Sequence, residues 1–126
     1  MPLPTTEAYD LINSAEYKQL DGIFTTNIPE KYRKHTDRTD CLITEVDSIP
    51  DDYGNNDFNS LDNTVEVQIF YKKEMDFAPE IFELELMRLF QRKYWHIDQT
   101  KPHVLDPDTN QITKTFYFSK LIIYRR

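Results

Sequence analysis

The stretch from residue 65 to residue 94 constrains the fold most, because a strand pattern changes there into a helix pattern. The first part alternates apolar and polar residues, as a strand with one buried face does. Its apolar positions are Val65, Val67, Ile69 and Tyr71. Phe70 breaks the polar side of the alternation, which predicts a strand inside a sheet, covered on both faces near this residue.

A helix is predicted after this strand and a short connection that begins with Lys72, Lys73 and Glu74. Its apolar positions are Phe82, Leu86, Leu89 and Phe90, widened by Ile81, Leu84 and Met87. Pro79 fits the first turn, where its missing N–H breaks no helical hydrogen bond. Three acidic residues are expected on the polar face or in the first turns: Glu80, Glu83 and Glu85.

The start of the chain predicts another amphipathic helix. Its apolar stripe is Ala8, Leu11, Ile12 and Ala15. Thr5 or Thr6 is expected to cap it, and Gly22 is expected to end it in a left-handed conformation. A short extended piece at residues 23–25 follows.

Further strands are predicted at residues 42–46, 95–97, 104–105 and 112–124, the first ending near residues 48–50. The last two are expected to pair as a hairpin, with the final strand within the sheet. Residues 106–110 resemble a calcium loop at first sight. However, Gln111 and Tyr117 occupy the positions that need Gly and Glu, so a turn is predicted. The expected fold is a single α+β domain over residues 1–126, with two helices on one face of a mixed or antiparallel sheet of about four to five strands.

Composition excludes several classes of protein. The 126 residues are 39% hydrophobic and 13% aromatic, which is too apolar for a disordered chain, yet no apolar run approaches the ~20 residues of a membrane span. The first four residues lack the features of a signal peptide, so synthesis and assembly are expected in the cytoplasm. Cys41 has no disulfide partner within the chain and is interpreted as a small buried strand residue.

Residues 51–63 form a polar segment that is rich in acidic residues. The net charge of −7 argues against a protein whose main task is to grip phosphates. We expect this segment to be a long loop that meets another subunit, because it holds two aromatic residues and most of an acidic cluster that begins at Asp47. The predicted contact residues are Asp51, Asp52, Tyr53, Asn55, Asp57, Phe58 and Asp62.

Motifs for catalysis are weak. The two glycines form no phosphate loop, and the spacing of the histidines is not that of a helical zinc pair, so His35, His96 and His103 are interpreted as ordinary surface or turn residues. Asp51, Asp52 and Asp57 could hold magnesium for a nuclease, but carboxylates on a loop are poorly placed for a two-metal site. The expectation is therefore a protein that is not an enzyme and has no cofactor or metal.

Several short motifs, taken in order, resemble one family. They are Gly22-Ile23-Phe24 with Asn27-Ile28-Pro29; Asp52-Tyr53-Gly54-Asn55 with Asp57-Phe58-Asn59-Ser60; Val65-Glu66-Val67-Gln68-Ile69-Phe70-Tyr71; and Leu105-Asp106-Pro107-Asp108-Thr109 with Lys114-Thr115-Phe116-Tyr117-Phe118. Together they are similar to small tail-component proteins of siphophages that infect lactic-acid bacteria and their relatives.

The resemblance implies a tail terminator or head-to-tail joining protein in the virion. Such a subunit forms a ring, usually a hexamer, on the head-proximal end of the tail tube, and DNA passes through without specific binding. Its expected partners are further copies of itself, the major tail tube protein and the head connector or neck protein, with no membrane. A neck or head-completion protein and a small metal-dependent nuclease remain as alternatives. The aspartates of residues 47–62 could face either the channel or a partner.

Overall fold

The structure is a computed structural model that describes residues 3–33, 35–54 and 57–123; for 51–54 and 57–59 it describes the backbone but not the side chains. The helices and strands in these ranges are α1 (Pro4–Ser14), β1 (Gly22–Thr25), α2 (Glu30–Arg33), β2 (Asp40–Gly54), β3 (Asp57–Phe70), α3 (Pro79–Arg92), β4 (His96–Thr100), β5 (Val104–Leu105) and β6 (Ile112–Ile123).

The strands form one mixed sheet in the order β1-β2-β3-β6-β4, and β5 pairs with β6 beside this path. β1 runs parallel to β2, whereas every other pair is antiparallel. The α+β fold with a mixed sheet is confirmed, as are the position of the final strand within the sheet and its hairpin with Val104–Leu105. The described residues hold six strands, slightly more than expected.

The hydrophobic core lies between one face of the sheet and the two long helices, as predicted. The sheet contributes Cys41, Ile43, Val65, Val67, Ile69, Phe116 and Phe118, and the helices contribute Ala8, Ile12, Phe82, Leu86 and Phe90. Phe90 stacks on Phe118 with 4.0 Å between ring centroids, and Trp95 meets Phe90 edge-on at 5.5 Å. Aromatic contacts of this kind add about 0.5–1.5 kcal/mol each to the burial itself.

The predicted stripe on α3 was too wide. Pro79 is its first residue, as expected. Ile81 and Leu84, however, are 60% and 48% exposed, because the side of the helix that is buried carries Phe82, Glu83, Leu86 and Phe90. Glu83 was expected on the polar face or in the first turns; it lies in the first turns but is buried, with only 6% of it exposed.

The predictions for both ends of α1 were wrong. The helix starts at Pro4, whose fixed φ suits a first turn, and no side chain caps it. It ends at Ser14, and Glu16 adopts the positive φ of 51° that had been assigned to Gly22. Gly22 instead opens β1, where an added Cβ would lie 2.7 Å from the Phe24 ring, so glycine is needed for close packing.

The predicted loop over residues 51–63 is a β-hairpin. β2 does not end near residues 48–50 but continues to Gly54, with a bulge between Glu45 and Asp47, and β3 already begins at Asp57. Polar residues form these strands because their partners across the hairpin satisfy the backbone hydrogen bonds. Pro50 is tolerated because β1 pairs with β2 only as far as Ile43, which leaves this part of β2 at a sheet edge.

The second face of the sheet, called the back face here, lies opposite α1 and α3. β3 is inside the sheet, as predicted, but full cover at Phe70 was wrong: this residue is half-buried and lines an open cavity. The short helix α2 borders the same cavity through Tyr32 and Arg33.

Candidate functional site

One end of the sheet extends beyond the hydrophobic core. We call this part the sheet arm: residues 45–54 of β2, 57–64 of β3 and 119–123 of β6. The core residues nearest to it are Ile43, Val65 and Phe118, and the arm's described buried residues, Ser60, Asn63 and Ser119, are all polar. The arm is therefore held by strand pairing and polar contacts more than by apolar burial.

The base of the arm is tied to the body by charged and polar side chains. Lys120 donates to the Glu7 carboxylate on α1 and lies over the Trp95 ring, 5.7 Å from its centroid. Ser119 donates a 2.8 Å hydrogen bond to Asp98 on the neighbouring strand. These contacts fix the direction in which the arm leaves the body.

The predicted contact residues lie in this arm rather than in a loop. Asp51, Asp52 and Tyr53 belong to β2, Asp57 and Phe58 to β3, and Asn55 lies outside the described residues. The strand register places Tyr53 opposite Phe58, Asp51 opposite Ser60, and Asp62 opposite Ile49. Asp62 is the predicted residue whose side chain is described, and it is half-buried. The hairpin thus brings the predicted residues to one end of the molecule.

Sequence reasoning missed the exposed apolar residues of the arm. Ile49, Leu121 and Ile123 are 55%, 49% and 58% exposed, and Val46 at the bulge is 45% exposed. The register puts Ile49, Asp62 and Leu121 in one row across three strands, so these side chains share the back face. The alternation around Leu121 is visible in the sequence. Because residues 51–63 were predicted to be a loop, the sequence did not predict that Ile49 lies in the same row as Leu121.

The β2 edge of the arm is poorly suited to pairing with another strand. Along β2 it has a bulge at residue 46, Pro50, and the exposed charges of Glu45 and Asp47. Bulges, prolines and charges are common protections against edge-to-edge association. Strand addition at the β2 edge of the arm is therefore disfavoured, whereas the β6 edge, in the part of the chain that the structure describes, is open beyond Ser119, the last residue of β6 that pairs with β4.

A cavity of about 600 Å³ opens on the back face at the opposite end of the same strands. Its apolar lining is Ile28, Tyr32, Leu42 and Phe70, and its polar lining is Asn27, Arg33, Asp40, Asp106, Asp108, Thr109 and Gln111. This volume is within the range of about 300–1,000 Å³ that is usual for binding pockets.

Polar contacts hold the walls of this cavity in place. Arg38 lies over the Tyr32 ring, 3.9 Å from its centroid, and donates a 3.1 Å hydrogen bond to Asp40. Burial raises the pKa of Asp40, and the bond from Arg38 acts against this shift. The Gln111 amide donates to the carbonyls of Arg38 and Tyr71, at 3.2 Å each, and so joins the turn before β6 to the rest of the sheet.

Another polar cluster is centred on Glu83, a buried residue of α3, and includes the buried Tyr71 and the exposed His103. The Glu83 carboxylate accepts a 2.6 Å hydrogen bond from the Tyr71 hydroxyl and lies 2.8 Å from His103 Nε2. The interpretation of His103 as an ordinary surface or turn residue was therefore incomplete. Burial first, and then the bond and charge of Glu83, raise the pKa of Tyr71. The cluster connects the segment before β5 to α3 through His103 and Glu83. We therefore interpret the cluster as stabilising the fold.

Cys41 is fully buried, as predicted, and burial raises the pKa of its thiol, so it is an unreactive core residue. Among the residues that the structure describes, no group of three or more His, Cys, Asp or Glu side chains is arranged to hold a metal ion. None of the described helices has the length and apolar character needed to cross a membrane.

Comparison with known families gives a match over nearly the whole chain. A family model described as "Protein of unknown function (DUF806)" matches residues 3–123. A search among curated proteins finds no match.

Proposed function

The chain belongs to the DUF806 family, and we propose that it is a structural, non-enzymatic subunit of a phage tail. In this proposal it forms a ring on the head-proximal end of the tail tube, stops tube polymerisation and joins the tail to the head connector. The proposal rests on the resemblance to siphophage tail components and on one structural observation, the sheet arm with its exposed apolar side chains.

The arm favours contact with other subunits. Ile49 and Leu121 flank Asp62 on the back face, and exposed apolar side chains gathered on one face favour a protein interface. Burial of a fully exposed aliphatic side chain contributes about 1.5–3 kcal/mol, so covering each of these half-exposed side chains would contribute about half of that. Because the arm emerges from one end of the sheet only, its contact with a different surface of the next copy would be repeated around a ring.

The charge of the chain is compatible with a ring through which DNA passes. A subunit with a net charge of −7 repels phosphates on average, so DNA would move past it without adhering. If the aspartates of the arm instead face the tube or connector, they would meet basic surfaces there.

The proposal is tested with the full chain and tail tubes of the phage that carries it. Electron microscopy is expected to find rings on tube ends, and tube length is expected to become uniform when the protein is added. The variant Ile49→Ser with Leu121→Ser should lose ring formation. Ile81→Ser with Leu84→Ser is the matched control, because these residues are similarly exposed but lie on α3.

Tubes that stay open and continue to grow in the presence of the unaltered protein would refute the proposal. Equal loss of ring formation in both double variants would contradict the proposal that the arm makes the contact between subunits. Attachment to filled heads without tubes would instead support the neck or head-completion alternative.

The nuclease alternative predicts DNA cleavage with magnesium or manganese that is lost in Asp51→Asn or Asp52→Asn. These residues lie at the end of β2, and a cleavage assay on the purified chain with each metal tests this alternative directly.

A further inference from the structure

The back-face cavity has the features of a site for an aromatic residue next to a positive charge. Leu42 and Phe70 lie on the back face, since their neighbours Cys41 and Ile69 point into the core. Together with Ile28 and Tyr32 they give the cavity an apolar surface that could take a ring.

The rim of the cavity carries unbalanced negative charge. Asp40 is paired with Arg38 at 3.1 Å. Asp106 accepts a 2.9 Å hydrogen bond from the backbone N–H of Asp108, and neither of these two carboxylates forms an ion pair with a described residue. Arg33 is the basic residue in the lining, and its Nε donates to the carbonyl of Ile28. Two carboxylates beside an apolar surface therefore suit a segment with an aromatic ring and guanidinium groups.

The chain itself contains such a segment immediately after β6. Residues 124–126 are Tyr-Arg-Arg, one aromatic ring followed by two guanidinium groups. They lie outside the described residues and follow Ile123, at the arm end of the sheet.

A subunit cannot fill its own cavity with this segment. Gln111 lines the cavity, and β6 then runs away from it through Ile123. Twelve residues of extended strand span about 40 Å. Three residues reach at most about 11 Å, so they cannot return to the cavity of the same chain. If residues 124–126 fill the cavity, they must therefore come from another copy.

We propose that residues 124–126 of one copy dock in the back-face cavity of the next, with the Tyr124 ring against Leu42 and Phe70 and the arginines against Asp106 and Asp108. Donor and acceptor surfaces lie at opposite ends of the same strands, so the contact is head-to-tail and each copy offers both halves. Contacts of this type close into rings when the rotation between copies permits. The inference rests on the proposed ring and names the contact from which it is built.

A charge-swap experiment tests the contact. Arg125→Glu with Arg126→Glu should weaken self-association by about tenfold or more, since two attractive pairs become repulsive. Asp108→Arg alone should also weaken it, and the combination of all three changes should recover a clear part of the loss. Asp108 is suitable because its side chain is exposed and makes no described hydrogen bond. Sedimentation over a concentration series measures each association constant.

Disulfide trapping gives a second readout that does not depend on ring closure. Chains with Asp108→Cys and chains with Arg125→Cys are mixed and oxidised, and a mixed dimer is expected. Cys41 does not compete because it is fully buried. Glu85→Cys, on an exposed part of α3, replaces Asp108→Cys in the control mixture and should cross-link much more slowly.

The outcomes separate this inference from the proposed function. Rings that form normally in the charge-reversed variant, with cross-linking no faster than in the control, would overturn the docking contact and leave the ring intact. Absence of rings on tube ends for the unaltered chain would refute the proposed function, whereas preferential cross-linking would still support the contact. Weakening by the single charge reversals without recovery in the combination would overturn the pairing of the arginines with the cavity rim.

Discussion

Replacing Tyr71 with Phe removes the hydroxyl that donates to the buried Glu83 carboxylate at 2.6 Å and leaves the ring in place. A hydrogen bond to a charged group contributes about 1.5–3 kcal/mol, so Tyr71→Phe should lower the free energy of unfolding by this amount near pH 8. Urea unfolding followed by circular dichroism measures the loss.

The same substitution should change the response of the protein to alkaline pH. Burial is the main cause that raises the pKa of Tyr71 above its ordinary value of 10.0, followed by the hydrogen bond to Glu83. The unfolded chain therefore loses this proton near pH 10, whereas the folded protein keeps it. Above pH 10 the unfolded state binds fewer protons, and stability falls by about 1.4 kcal/mol per pH unit from this group.

Phenylalanine does not ionise, so this loss is absent from the variant. The difference in unfolding free energy between the two proteins should shrink by about 1.4 kcal/mol between pH 8 and pH 11. The raised pKa values of Tyr17 and Cys41 act in the same direction, but both proteins share them, so their effects cancel in the difference.

Tyr94→Phe is the matched control because Tyr94 is 83% exposed. It should change the unfolding free energy by less than about 0.5 kcal/mol at both pH values. A difference between wild type and Tyr71→Phe that stays constant from pH 8 to pH 11 would refute the reasoning about Tyr71.

Three further substitutions test the packing of the body. His103→Ala removes the partner 2.8 Å from the Glu83 carboxylate and should cost about 1–3 kcal/mol in urea unfolding. Phe90→Ala removes the ring stacked on Phe118 at 4.0 Å and should cost about 3–5 kcal/mol, seen as a lower melting temperature in calorimetry. Gln111→Leu leaves two backbone carbonyls without their 3.2 Å donor and should cost about 1–3 kcal/mol, with faster amide exchange near the turn before β6.

Exposed positions provide the controls for these substitutions. Val104→Ala, at a site 57% exposed near His103, and Leu84→Ala, at a site 48% exposed on α3, should each stay within about 0.5 kcal/mol of wild type. If Val104→Ala or Leu84→Ala lowered the free energy of unfolding as much as the substitutions at buried sites, the exposed fraction of a side chain would not predict the loss of stability in this fold. An unchanged stability of His103→Ala would contradict the structural role given to the Glu83 cluster.

Local patterns were enough to predict most of the regular elements. The alternation around Val65, Val67 and Ile69 identified the central strand, and the spacing of Phe82, Leu86 and Phe90 identified the helix packed on it. Both patterns reflect a single buried face, and such a face leaves its period in the sequence. The buried position of Cys41 and the turn at residues 106–110 also followed from local chemistry.

The candidate site could be predicted only in part. The acidic and aromatic residues of the arm were recognised, but their polar composition indicated a loop. The strands exist there because each residue finds a backbone partner on a neighbouring strand, as Ile49 does opposite Asp62. A pairing between residues distant in sequence leaves no periodic signal when neither face is fully buried.

By itself, the sequence determined which faces of the long helices and central strands are buried, and hence the α+β class, because apolar periodicity is a local property. The tertiary structure decided the rest: the arm, the cavity at its opposite end and the burial of Glu83. Each depends on partners far apart in the chain, since Glu83 is buried by contacts with Tyr71 and His103, and the cavity joins residues near Ile28 with residues near Asp106. Long-range pairing and side-chain satisfaction are decided only when the whole chain packs.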